Sequence, residues 1–336
     1  MFLIASFFAA VIPMVGYFLF IWWLDRNERE PFWIMFLNFF WGASGAIFLA
    51  IVGSVFFQVP LAVIVQLIAQ NNFSEINNIL GTIITAPVVE EFTKGIFLLM
   101  MASISREFDG VVDGVVWGGA IGLGFGMTEN FMYFVTYGTS LESWVSVVVI
   151  RTLFSAVMHC LSQATFGAFV GFAFLRSTVQ KFLFIVAGYL IAVFIHFLWN
   201  VTVSFEDTTI LGMMFLALYF VIIFGLFQLA LYLEGKTIYR ELNEEASLGT
   251  IPPAHVNFIP FVQRRKKRNW CPVGINQSDY IKTSIRLALA KYKYRNCKNI
   301  NLKKRFYQEI ETLRYRIKMM LYNASLQYYY NQNYHL

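Results

Sequence analysis

The chain has 336 residues, of which 58% are hydrophobic and only 14% charged. A soluble domain carries about 25% charged residues, and no soluble core of this length can hide so much apolar surface. The net charge of +6 is an uneven sum, because residues 1–235 are net −7 and residues 236–336 are net +13.

The apolar residues fall in blocks long enough to cross a bilayer, which needs about 20 residues of helix. Seven spans are expected, at about 1–24, 32–57, 76–102, 111–137, 144–175, 181–203 and 209–233. The first has no basic leader and no small-residue cleavage site, and Asp25, Arg26, Glu28, Arg29 and Glu30 follow it. It reads as a retained helix and not as a signal peptide. Segment 58–70 is too short to span and is expected at the interface or dipping into it. The fifth span is over-long and must tilt or extend past the lipid.

Loop charges set the orientation. Arg26, Arg29, Arg106, Arg176 and Lys181 mark the loops after spans one, three and five, and the basic tail follows span seven. The loops after spans two, four and six contain no Lys or Arg. The positive-inside rule then places the N-terminus outside and the C-terminus in the cytoplasm. The expected fold is an all-α polytopic transmembrane bundle over 1–235, followed by a basic, helical cytoplasmic tail over 236–336.

Span four carries Gly110, Gly114, Gly118, Gly122 and Gly126 on one helical face. Such a stripe lets backbones approach where lipid gives no hydrophobic drive for association. It forms no phosphate loop, because it lies inside an apolar helix. The tail opens on Ile251, Pro252 and Pro253 as a linker and continues with a polybasic run, Arg264–Arg268. Leu302, Phe306, Ile310, Leu313, Ile317 and Leu321 then recur at the spacing of an amphipathic helix. Its charge suits anionic lipid headgroups, and no nucleic-acid module is present. Cys160, Cys271 and Cys297 form no pairing framework and are expected as free thiols.

Ionisable groups inside a membrane are expensive, so they face an interior site and pair with one another. Span three holds Glu90, Glu91 and Lys94, with both carboxylates within one turn of the ammonium. A carboxylate pair held beside one cation is suited to general acid–base work. Pro87, one turn earlier, weakens the local helix ladder and opens it to water. Span four ends with Glu129 and Asn130. Span five carries Arg151, Ser155, His159 and Gln163 at four-residue intervals, and span six carries His196 and Asn200. The topology puts these groups at overlapping depths, about 10–22 Å below the outer surface, consistent with one shared cavity.

At these residues the sequence resembles the PrsW family of intramembrane proteases, relatives of the CAAX-processing and bacteriocin-immunity membrane proteases. The matching features are Asp25…Glu30-Pro31, Glu90-Glu91-x-x-Lys94, Phe125-x-x-x-Glu129-Asn130, His159 and His196-x-x-x-Asn200, in family order over residues 1–233. CAAX-type relatives have Glu-Glu-x-x-x-Arg, whereas Lys94 stands one position earlier, which disfavours a prenylated substrate. The resemblance implies an integral protein of a bacterial inner membrane that cleaves membrane-embedded proteins. In characterised bacterial members the cut is site-1 cleavage of an anti-sigma factor.

Two chemistries fit these residues. In one, Glu129, His159 and His196 bind a divalent metal such as zinc, and Glu90 or Glu91 activates its water. In the other there is no metal. A Glu90 or Glu91 carboxylate activates water, while His196 and Asn200 stabilise the oxyanion. Lys94, Asn130 and Arg151 support the site in either case. The rival class is a proton-coupled transporter or channel, for which intramembrane charges are also normal. Against it, the chain has no repeated halves and no second polar cluster.

Overall fold

The computed structural model describes residues 2–68 and 72–334, with side chains as far as Leu326. Among them there is helix and no strand. Seven long helices come first: α1 Leu3–Leu24, α2 Phe32–Ile68, α3 over 73–104, α4 Val111–Tyr137, α5 Leu141–Ala173, α6 Thr178–Ser204 and α7 Glu206–Ser247. Two short turns follow, α8 Pro253–Val256 and α9 Val262–Arg265, then α10 Gln277–Asn296 and α11 Ile300–Tyr334.

Six of these helices (α1, α2 and α4 to α7) are long and apolar enough to cross a membrane. Helix α3 matches the expected third span in position, and Glu90, Glu91 and Lys94 interrupt its apolar stretch. Its opposite side exposes Phe92, Ile96, Met100 and Ile104, as a helix facing lipid would. Segment 58–68 is not a separate interfacial piece: α2 continues through Pro60 to Ile68. An uncharged run with no turn signal other than that proline gives the helix no reason to stop. Residues 69 and 70 of that segment lie outside the described residues. The last span likewise runs on, as one helix to Ser247.

Among the described residues, three helices contain a π-turn, at Gly42–Ala46 in α2, Gly81–Thr85 in α3 and Arg151–Ser155 in α5. A π-turn inserts one residue and re-aims the side chains beyond it.

The chain divides into two compact units. The membrane unit comprises α1 to α6 with their connections and α7 as far as Phe227. At its centre α4 and α5 lie backbone against backbone. A Cβ at Gly118 would overlap the carbonyl of Gln163, and one at Gly122 would overlap that of His159. At Gly114, Gly118 and Gly122 glycine is therefore obligatory packing, and these positions fix which turn of α5 faces which turn of α4, whereas a Cβ at Gly110 would meet nothing.

The tail unit comprises the chain from Gln228 onward with residues Asp25–Arg29 and Leu175–Thr178. Its core holds Ile238, Leu242, Val256, Trp270, Tyr280, Leu287, Ile310, Leu313 and Ile317. Phe306, Ile310, Leu313 and Ile317 of the expected amphipathic stripe are all buried. Ile251, expected in a linker, is buried as well, because the apolar side chain beside Pro252 packs into this core. Buried Lys291 joins Glu245 at 2.8 Å and Glu241 at 3.7 Å. Arg314 holds Glu245 from the other side at 2.7 Å. These contacts keep the Glu245 carboxyl below its ordinary range. In the polybasic run, Arg264, Lys266, Lys267 and Arg268 are exposed. Arg265 is turned inward instead, bonded to the carbonyls of Ile259 at 2.6 Å and Asn27 at 3.0 Å. All three cysteines are free.

Candidate active site

Glu91 is fully buried and all four of its side-chain hydrogen bonds are directed. Oε1 receives Lys94 Nζ and His196 Nδ1, each at 2.8 Å. Oε2 receives Ser162 Oγ at 3.0 Å and Gln163 Nε2 at 2.7 Å. Helices α3, α5 and α6 are thus tied together at one carboxylate. A carboxylate is an acceptor only when ionised, and with this many donors Glu91 is a fixed anion.

Glu90 differs. It is 14% exposed, and its Oε2 accepts no hydrogen bond. The nearest groups are Lys94 Nζ at 3.5 Å and His196 Nε2 at 3.9 Å. The His196 ring donates Nδ1–H to Glu91, so in the neutral ring its Nε2 is an acceptor facing another acceptor. That juxtaposition is satisfied by a proton or a cation between the two atoms.

His159 is buried on α5. Lys94 Nζ lies 3.0 Å from its Nδ1, and Glu129 Oε2 lies 2.6 Å from its Nε2. Lysine only donates, so Nδ1 accepts and Nε2–H donates to Glu129. Arg151 closes this side, at 2.7 Å from Glu129 Oε2 and 3.1 Å from Asn130 Oδ1. Its guanidinium also lies over the Tyr133 ring at 3.6 Å. Lys94 rests on the Phe125 ring at 3.9 Å, and the His159 and His196 rings meet edge to face at 4.9 Å.

The surrounding helices position α3. Trp41 stacks on Phe97 and donates to the Thr93 carbonyl at 3.2 Å. Tyr189 of α6 donates to the Val88 carbonyl at 2.8 Å. The π-turn before Pro87 alters the carbonyl pattern of α3, and the Asn200 amide takes the Thr82 carbonyl at 2.9 Å. Asn200 is engaged there, and no hydrogen bond joins it to the carboxylate cluster.

The structure therefore brings together Glu90, Glu91, Lys94, Glu129, Asn130, Arg151, His159 and His196. It adds Ser162, whose only sequence signal is its place one turn after His159. Gln163 also enters as a ligand of Glu91, where the sequence placed it only on a shared helix face.

One subset can hold a metal. Glu90, His159 and His196 each offer a ligand atom, and these atoms all lie within 4.8 Å of one another. One carboxylate oxygen and two imidazole nitrogens are a normal donor set for zinc. His196 also has the carboxylate partner on its other nitrogen that metal-bound histidines commonly have. The charge count agrees, since three carboxylates face two fixed cations. Lys94 and Glu129 occupy the two nitrogens of His159, so the set of Glu90, His159 and His196, like one of Glu129, His159 and His196, would require His159 to give up a present partner.

The sequence matches the PrsW family of intramembrane metalloproteases over residues 30–227. The chain belongs to the PrsW family. That match covers more than half of the chain and includes every residue of the cluster. Protease PrsW of Oceanobacillus iheyensis is 23% identical over 215 residues, covering 64% of this chain and 90% of the relative. Protease PrsW of Geobacillus kaustophilus is 26% identical over 190 residues, 56% of this chain and 75% of the relative. Protease PrsW of Bacillus subtilis is 22% identical over 163 residues, 48% and 66% respectively. No solved structure matches this chain. As a PrsW family member with six apolar spanning helices, it is a multi-pass bacterial membrane protein and a peptidase.

Proposed function

We propose that this PrsW family protein cleaves membrane protein substrates with Glu90 as the reactive carboxylate and Glu91 as a structural anion. The observation that carries the reading is the contrast between them: Glu91 accepts four hydrogen bonds, and Glu90 Oε2 accepts none. Glu90 Oε2 takes the proton of the attacking water, and His196 Nε2, 3.9 Å away, faces the same point. Lys94 and Arg151 hold the remaining carboxylates ionised, so charge that develops on the substrate meets a pre-set field.

If zinc binds, Glu90, His159 and His196 would hold it; Glu90 would then be a ligand in place of the base, and the ion would supply Lewis acidity toward the scissile carbonyl and the water. His159 would then release either Lys94 from Nδ1 or Glu129 from Nε2.

Under the positive-inside reading the N-terminus is outside, the tail over 236–336 is cytoplasmic and the site lies in the outer half of the inner membrane. The exposed Arg264, Lys266, Lys267 and Arg268 suit anionic headgroups there. A site at that depth suits site-1 cleavage, the first cut in a membrane-anchored regulator. The proton-coupled transporter reading has no observation in its favour that the protease reading lacks.

The test is a comparison of membrane proteomes from cells carrying the wild-type protein and Glu90→Gln. A membrane regulator that is full-length only in the variant supports the proposal. Identical processing in both strains overturns it.

A further inference from the structure

Three residues of α4 grip one guanidinium of α5. Arg151 Nη2 lies 2.7 Å from Glu129 Oε2, and Arg151 Nε donates to Asn130 Oδ1 at 3.1 Å. The Tyr133 ring covers the face of the same guanidinium at 3.6 Å. Tyr133 stands four residues after Glu129, so both side chains leave one face of α4. An arginine side chain carries large rotamer freedom, and here an ion pair, a hydrogen bond and a stacked ring remove it together. The side chain is only 13% exposed, and a cation is held more firmly over a ring when it is withdrawn from water.

The backbone of α5 serves the same contact. Arg151 and His159 meet a single atom, Glu129 Oε2, at 2.7 Å and 2.6 Å. Eight residues separate them, and in an unbroken α-helix that spacing leaves about 80° between their directions. The π-turn Arg151–Ser155 lies within this stretch. Its one inserted residue brings the two directions to within about 20°. The irregular turn thus aims Arg151 at the carboxylate that orients His159. It sets only the direction in which the side chain leaves the helix, and the Tyr133 ring supplies the stop at the far end.

We propose that Tyr133 is a positioning residue for peptide cleavage: it holds Arg151 on Glu129, and Glu129 in turn holds the His159 ring. The inference rests on the reading of this cluster as the reactive site. The ring face makes the contact and not the hydroxyl, so phenylalanine serves at this position and an aliphatic side chain does not. Without the ring, Arg151 swings off Glu129, which is itself 16% exposed and loses one of its two partners on Oε2. The His159 ring is then left to turn about its other contact, Lys94 Nζ at 3.0 Å.

The test compares the full-length wild type, Tyr133→Leu and Tyr133→Phe in phosphatidylcholine vesicles. Magic-angle-spinning NMR of isotope-labelled protein reads two through-space cross-peaks, Arg151–Glu129 and His196–Glu91. Tyr133→Leu should weaken the first at least five-fold and leave the second unchanged, whereas Tyr133→Phe should keep both. Cleavage is followed with a single-span peptide carrying a fluorophore and a quencher at either end of its membrane segment. Tyr133→Leu should lower kcat at least ten-fold with KM within two-fold, and Tyr133→Phe should restore kcat to within two-fold of the wild type. An intact Arg151–Glu129 cross-peak in Tyr133→Leu would overturn the proposal, and so would an unchanged kcat. Loss of both cross-peaks would make Tyr133 a general packing residue of the bundle and equally overturn it. The cross-peaks are read whether or not the peptide is cut, so a failure of the protease reading stays distinct from a failure of this one.

Discussion

Lys94 Nζ lies 3.0 Å from His159 Nδ1, and that contact sets the tautomer of the histidine. The lysine is fully buried and also pairs with Glu90 and Glu91. Replacing it leaves two carboxylates facing one another with no cation between them. Lys94→Met should lower proteolysis at least 100-fold and destabilise the bundle by about 3–5 kcal/mol, the cost of breaking a buried ion pair by removing one partner. Cleavage of a reconstituted substrate and thermal unfolding in detergent measure the two effects. Full cleavage by Lys94→Met would remove the lysine from the site.

The two glutamates should separate by phenotype. Glu90→Gln removes a carboxylate whose Oε2 accepts no hydrogen bond, so it should abolish cleavage while shifting the unfolding midpoint by no more than a few degrees. Glu91→Gln puts an amide donor against two of the four donors that bind Glu91 across three helices, and should lose both cleavage and stability. Ser162→Ala, which removes one of the four, should cost about 1 kcal/mol and be rescued by Ser162→Thr. Equal unfolding midpoints for Glu90→Gln and Glu91→Gln would contradict the division of roles.

Metal dependence is the expectation if the convergence of Glu90, His159 and His196 is a zinc site. Purified protein should contain close to one equivalent of zinc, and removal by a chelator should abolish cleavage until zinc is restored. His196→Ala should retain much less metal, whereas Asn200→Ala, whose amide is occupied with Thr82, should retain it fully. Undiminished cleavage by metal-free protein would leave Glu90 as an unaided base.

The tail unit should respond to acid on its own. His255 is buried against Trp270 and bonded to Tyr280 at 2.9 Å, and burial pushes its pKa below the ordinary value of 6.5. The unfolded chain then binds a proton more readily than the folded one as pH falls below 6.5. Stability should be full above that pH and decline on acidification, flattening once the folded ring is also protonated. Trp270 fluorescence during denaturant unfolding reports it. His255→Gln should weaken the dependence in that range, and an unchanged slope would exclude this histidine as its source.

Much of the site was legible because charge in an apolar helix has few explanations. Glu90, Glu91, Lys94, His159 and His196 stood out for that reason, and helical spacing was enough to put them on shared faces. Ser162 did not stand out, since a serine inside a membrane helix bonds its own backbone as readily as a distant carboxylate. Asn200 takes a different partner for a related reason. Its spacing from His196 is correct for one face, but the π-turn in α3 offered it a backbone carbonyl, and no periodicity argument contains that turn. The ends of α2 and α7 were missed because hydropathy marks where lipid contact ends, not where a helix stops.

The glycine stripe of α4 has a further meaning for the chemistry. The backbone of His159 rests where a Cβ on Gly122 would be, so the histidine's reach to Glu129 is set by the register of two whole helices. Sliding α5 by one residue would move His159 about 1.5 Å along the axis and turn it about 100° away. In this bundle the smallest side chains act as a gauge for the polar cluster. An alanine at position 122 should appear first as an error of alignment, and only second as a loss of stability.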